Sequence, residues 1–182
     1  KSFSDLKAKA KRSRDARMRA IVERVGKNIA LASGKNYQWE FELFEDPETV
    51  NAFCLPGGKI GVYSGILKVA QSEAGLAAVL GHEVAHATLG HGNERVSQGI
   101  LASTGLAAFD AFLGKSENKS AIMAGLGLGA QFGVLLPYSR SHESEADHIG
   151  TIYMAKAGYD PAQASELWHR MAAMGGKVPE FM

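Results

Sequence analysis

The stretch Leu76–His86 reads LAAVLGHEVAH and carries the pattern His-Glu-x-x-His at its end. Apolar residues around the pattern recur at helical spacing, which predicts a helix. Side chains four residues apart share one face of a helix, with Cβ atoms about 5–6 Å apart, so His82 and His86 can bind one zinc ion together. Glu83 can then act as general base on a water beside the metal. The alternative for this pattern alone is an ordinary amphipathic helix.

A downstream acidic segment offers the further ligand that a catalytic zinc site needs. Such a site uses three protein ligands and keeps one position for water. Glu143 and Asp147 are four residues apart, so a helix places both on one face. We expect Glu143 to bind the metal and Asp147 to accept a hydrogen bond from the far nitrogen of a ligand histidine. The alternative is a solvated acidic helix.

Neighbouring residues are rivals for the third ligand position. His91 follows the second histidine of the motif by five residues, whereas the metzincin pattern requires six. We therefore interpret His91 as structural, or as a charge partner at a helix C-terminus. On the acidic helix, Glu145 is rotated about 200° from Glu143, and His142 and His148 each adjoin one of the two selected acids and turn about 100° away.

Three segments together resemble a known family. They read NAFCLPGGKIGVYSGIL at 51–67, LGHEVAH at 80–86 and YSRSHESEAD at 138–147. In this order they are similar to the HtpX-like metallopeptidases, the gluzincin family that includes the CAAX prenyl endopeptidases, and most of all to soluble periplasmic members such as BepA and LoiP. The turn at Gly158–Pro161 resembles the segment that follows in the family, and the similarity spans residues 15–175.

The resemblance implies a site and an activity. His82, His86 and Glu143 would hold one zinc ion per chain, and Glu83 would be the catalytic carboxylate. The chain would be a zinc-dependent endopeptidase, periplasmic or membrane-associated, that acts on membrane-associated or misfolded envelope proteins. Two alternatives stay open: a zinc-binding chaperone or assembly factor with little proteolytic activity, and a structural zinc domain, against which Glu83 argues.

Composition limits the class of protein. A chain of 182 residues is typical of one domain, here 1–182. The net charge of +1 gives no case for nucleic acid. The single cysteine, Cys54, excludes an intrachain disulfide framework, and its apolar setting favours an inert thiol.

No apolar signal core opens the sequence. Soluble relatives usually continue into a Thr-His-Pro segment that this sequence lacks, so we expect either a sequence truncated at its C-terminus or one piece of a longer protein.

The expected fold is α+β and predominantly helical, a zincin (gluzincin) with a small β-sheet packed on the zinc helix. Residues 1–33 are strongly basic and predict a helix over 4–33 that ends before Gly34. Its basic face is either solvated or bound to an anionic membrane surface. Residues 37–43 alternate between apolar and polar side chains, which predicts a half-buried strand. The turn at 56–58 predicts a hairpin, and Ser72 is the predicted N-cap of the zinc helix.

Further features concern substrate and membrane. The apolar segment 121–136 is 16 residues long, too short for the ~20 residues of a spanning helix. We interpret it as a core helix, with a membrane-dipping or substrate-lining helix as the alternative. Before it, the polar segment 114–120 predicts a loop. An extended polypeptide is expected to pair with the sheet's outer strand. Arg140 is interpreted as a structural ion-pair partner rather than a catalytic group.

Overall fold

The computed structural model describes residues 3–114, 118–130 and 136–174. Within these residues the chain forms eight α-helices and three β-strands, with a short 3-10 turn at Ser64–Ile66. In chain order they are α1 (Phe3–Lys9), α2 (Ala16–Ser33), β1 (Glu40–Phe44), β2 (Ala52–Leu55), β3 (Lys59–Tyr63), α3 (Leu67–Ala70), α4 (Glu73–Leu89), α5 (His91–Leu113), α6 (Lys119–Ala130), α7 (Leu136–Lys156) and α8 (Ala162–Ala173). The expected α+β, mostly helical class is confirmed.

The chain divides into two compact units. The first unit comprises Lys1–Leu89 together with Glu145–Met182, and the second comprises Gly90–Ser144. The boundary falls inside the continuous helix α7. The assignment of the whole chain to one domain stays a prediction.

A three-stranded sheet of order β1-β3-β2 belongs to the first unit. β3 pairs in parallel with β1 and antiparallel with β2. The predicted hairpin at 56–58 is confirmed: it joins β2 to β3, and both of its glycines, Gly57 and Gly58, adopt positive φ angles near 85°. Such angles are costly for residues with a Cβ, so the turn chemistry sets the register of β2 against β3.

The strand predicted over 37–43 is shifted toward its C-terminal end. β1 begins only at Glu40, and its polar face is only partly open to solvent: Glu40 is half-buried, whereas Glu42 is hardly accessible. Glu42 is buried, because Arg12 covers it with an ion pair of 2.6 Å. Alternation identified the strand correctly but could not reveal a distant segment lying over its polar side.

The single helix predicted over 4–33 is wrong, because the chain breaks between α1 and α2. Asp15 caps α2 by accepting a hydrogen bond from the Met18 amide at 2.9 Å. In the break, the Ser13 amide donates to the Leu43 carbonyl at 2.9 Å, and the Glu45 amide donates to the Lys11 carbonyl at 2.7 Å. The connection therefore lies along the outer edge of β1. The predicted end before Gly34 is confirmed, with Gly34 in the left-handed conformation.

α4 is the central helix of the first unit. The Gly75 amide donates to Ser72 Oγ at 3.0 Å, which confirms the predicted N-cap. Residues 75–85 are all buried, and α4 packs against α2, β2 and α8. A helix buried on all sides holds its side chains in fixed rotamers, which suits it to carry a site.

The second unit contains α5, α6 and the start of α7. The core-helix interpretation of 121–136 is wrong for the part that is described, since α6 buries none of its side chains among residues 119–128. Residues 131–135 of that segment, and 115–117 of the predicted loop, lie outside the described residues. Arg140 lies on α7 with an exposed side chain.

Candidate metal centre

The two motif histidines point toward each other from α4. His82 is buried, His86 is half-buried, and their Nε2 atoms are 3.0 Å apart. The two rings meet edge to face, with centroids 4.6 Å apart. Two nitrogen ligands at about 2.0–2.1 Å from one zinc ion are separated by a little more than 3 Å. The observed spacing is thus close to what one shared ion requires.

Asp147 fixes the orientation of the first histidine. Its Oδ1 atom lies 2.8 Å from His82 Nδ1. An ionised carboxylate only accepts hydrogen bonds, so His82 carries its proton on Nδ1 and directs the lone pair of Nε2 toward His86. This carboxylate–imidazole arrangement is typical of metal-binding histidines. The donor set therefore fits zinc.

Two glycines allow α7 to approach α4 closely enough for this contact. A Cβ atom added at Gly81 would lie 2.8 Å from the Gly150 carbonyl oxygen, and one added at Gly150 would lie 2.7 Å from the Gly81 carbonyl carbon. The backbones of the two helices therefore touch one residue before His82 and three residues after Asp147. Neither glycine was singled out from the sequence, although both interrupt otherwise good helix-forming runs.

Trp168 on α8 packs against the ring of His82. The two rings meet edge to face, with centroids 5.5 Å apart. Arg170, two residues after Trp168, ties α8 to α3: its Nε donates to the Val69 carbonyl at 2.7 Å. The sequence shows Trp168 only as one apolar position of an amphipathic helix, so its contact with the histidine could not be predicted.

Glu83 is buried on α4 at 2% exposure. Cys54 lies on strand β2. Burial raises the pKa of its thiol, and the negative charge of Glu83 raises this pKa further. The expected inert character of Cys54 follows, because a raised pKa removes the reactive thiolate at neutral pH. β2 packs against α4, the helix that carries this candidate catalytic carboxylate.

The remaining acids and histidines of α7 lie in distinct environments. Glu143 is half-buried one helical turn before Asp147, and within the second unit its Oε1 lies 3.7 Å from Arg95 Nη2. Glu145 and His148 are exposed. His142 is buried, with its Nε2 2.8 Å from a carboxylate oxygen of Glu94.

His91 is the first residue of α5 and stacks on His142 within the second unit. The ring planes are inclined by 11° and the centroids lie 4.2 Å apart. Both rings are buried. This contact supports the structural interpretation of His91, whose role stays a prediction.

A comparison with protein families matches residues 12–182 to the model described as peptidase family M48. The chain belongs to peptidase family M48. The recognition of an HtpX-like metallopeptidase from three short motifs is therefore confirmed.

Relatives of this M48 chain come from eukaryotes and bacteria. The mitochondrial metalloendopeptidase OMA1 of Schizosaccharomyces pombe is 42% identical over 158 residues, which cover 86% of this chain and 45% of that protein. OMA1 of Arabidopsis thaliana is 38% identical, over 82% of this chain and 29% of that protein. The putative beta-barrel assembly-enhancing protease of Vibrio cholerae is 31% identical, over 79% of this chain and 30% of that protein. The chain thus spans less than half the length of these relatives.

Proposed function

We propose that this chain is a zinc-dependent endopeptidase. The observation that supports it most is the pair of histidine Nε2 atoms 3.0 Å apart on α4, with His82 held in the metal-binding tautomer by Asp147. Glu83 follows His82 directly and is buried. Relatives named metalloendopeptidases share this region of the chain.

His82, His86 and Glu143 are the proposed ligands of one zinc ion per chain. The proposal for Glu143 is supported by the continuity of α7. Residues four apart lie on the same face of a helix, so Glu143 shares the face from which Asp147 contacts His82. Two imidazoles and one carboxylate are a catalytic ligand set that keeps a position open for water, and this set defines the gluzincin form of the zincin fold.

Glu83 is the proposed general base. When bound, zinc would polarise the scissile carbonyl and lower the pKa of water toward ~7. Glu83 then takes the proton from the attacking water and delivers it to the leaving amine. Its position between the two histidines in sequence would place it beside a metal held by them, in the role of base and not of ligand. Asp147 keeps the imidazole of His82 oriented throughout.

The proposed substrate is a polypeptide bound in extended form along β2. Among the described strands, β2 pairs only with β3, which leaves its other edge for an added strand. The opposite edge of the sheet is less accessible, because residues 11–13 lie along β1. β2 also packs against α4, the helix that carries Glu83. Main-chain pairing of this kind selects for extended backbone more than for particular side chains.

Membrane-associated or misfolded envelope proteins are the proposed substrates, and a periplasmic or membrane-associated location is proposed with them. The support comes from relatives named as mitochondrial metalloendopeptidases and as a beta-barrel assembly-enhancing protease. The word "assembly" in the second name also supports the alternative, a zinc-binding assembly factor in which binding of the polypeptide matters more than its cleavage.

Glu83→Gln separates the two functions. We expect this variant to retain zinc and to lose on the order of 10²–10⁴-fold in the rate of cleavage of an unfolded polypeptide. Glu145→Gln is the matched control, since it removes an exposed carboxylate from α7. Equal cleavage by wild type and Glu83→Gln would contradict the proposed base. Zinc binding without cleavage by the wild type would favour the assembly factor.

A further inference from the structure

The second unit exposes an apolar surface on its paired helices α5 and α6. We call these helices, 91–113 and 119–130, the α5–α6 hairpin; they pack against each other. Leu101 is 74% exposed and Phe112 is 83% exposed. The other exposed large apolar side chains of the hairpin are Val96, Ile100, Phe109, Ile122, Leu126 and Leu128.

The exposed apolar side chains of α5 spread over more than half of its circumference instead of forming one stripe. At about 100° per residue, Leu101 and Phe109 are turned roughly 140° and 220° from Val96. A helix that is apolar on most of its faces is normally buried, either in the core of a protein or in a membrane. His91 is the one buried residue of α5 in the described structure, so the helix is not an internal core helix.

Charges are confined to the two ends of the hairpin. No charged residue occurs from Val96 to Phe109 or from Ser120 to Ala130. Near the tip, Asp110 pairs with Lys119 at 3.0 Å, so both charges are partly neutralised there. α5 has 23 residues, which correspond to about 34 Å of helix, and the hydrocarbon core of a bilayer is about 30 Å thick. By length and composition α5 could cross a membrane.

We propose that the α5–α6 hairpin inserts into the hydrocarbon region of a phospholipid bilayer. The driving force is transfer of the exposed apolar side chains into lipid, so no anionic headgroup is required. This differs from adsorption through the basic amino-terminal segment, whose Lys7 and Arg12 are engaged by Glu40 and Glu42. The inference is independent of the proposed catalytic activity.

Flotation of the full chain with phosphatidylcholine vesicles tests the proposal. We expect the wild type to float with these neutral vesicles at low and at high salt. Leu101→Asp should reduce the partition coefficient on the order of tenfold to hundredfold, because aspartate is strongly disfavoured inside a membrane. Leu31→Asp is the matched control: Leu31 is 83% exposed on α2, outside the hairpin, and its substitution should leave flotation unchanged. Both sites are exposed, and circular dichroism would verify that both variants fold.

Three results would overturn the proposal. Wild-type protein that stays at the bottom of the gradient would exclude insertion. Equal losses in Leu101→Asp and Leu31→Asp would show that the hairpin is not the inserted element. Self-association of the wild type that Leu101→Asp abolishes, without vesicle binding, would assign the apolar surface to a second copy of the chain.

Discussion

Single residues decide the chemistry of the proposed site, and their roles follow from what each atom can donate or accept. Asp147 accepts from His82 Nδ1 at 2.8 Å and thereby leaves Nε2 available to a metal. The spacing of four between Glu143 and Asp147 places both on one helical face. This spacing was the reason to expect that Asp147 accepts a hydrogen bond from a histidine of the zinc motif. Sequence could not reveal the Trp168 contact, which depends on how α8 packs against α4.

The acids of α7 are predicted to differ in their effect on zinc affinity. Glu143→Ala should lose most of the affinity, since it removes the proposed third ligand. Asp147→Ala should lose roughly 10–100-fold, because it only orients His82, a proposed ligand. Glu145→Ala should have almost no effect, as its side chain is exposed. Competition with a chelating dye would measure the order, and the greatest loss in Glu145→Ala would refute the ligand assignment.

At the scale of elements, local signals in the sequence predicted more than long-range ones. The hairpin at 56–58 and the cap at Ser72 depend on neighbouring residues, and both are confirmed. The break between α1 and α2 depends on pairing of residues 11–13 with a strand thirty residues later, which no helical pattern contains. The apolar helix α6 looked like core because composition does not distinguish burial from exposure.

Close contact of α4 with α7 is predicted to require glycine at 150. Gly150→Ala would push a Cβ into the Gly81 backbone, and overpacking of this kind costs typically 1–3 kcal/mol. We expect a lower unfolding temperature and weaker zinc binding, because Asp147 moves away from His82. Gly99→Ala on α5 is the control, since a Cβ there meets nothing within 4 Å, and it should be neutral or slightly stabilising. An equally stable, equally zinc-avid Gly150→Ala variant would argue against the contact.

The free edge of β2 is predicted to bind substrate backbone. N-methyl groups introduced one at a time into a peptide that the wild type cleaves should slow cleavage at alternating positions, because alternate amides of an added strand point toward the sheet. Cleavage rates measured by chromatography would show a period of two. Rates that do not depend on the methylated position would speak against strand addition.

For the whole molecule, membership of family M48 and the paired histidines of α4 both support the proposed metallopeptidase. The motifs at 51–67, 80–86 and 138–147 were enough to recognise family M48 from sequence. The division into two units and the exposed α5–α6 hairpin emerged only from the structure. Their basis is tertiary packing, which periodicity along the chain does not encode.

Zinc reconstitution tests the central claim most directly. The full chain would be stripped with a chelator, and cleavage of an unfolded polypeptide would be followed while zinc is added back. We predict no cleavage by the stripped protein and recovery that saturates at about one zinc per chain. Cleavage that survives complete removal of the metal, or a folded chain that binds no zinc, would contradict the account.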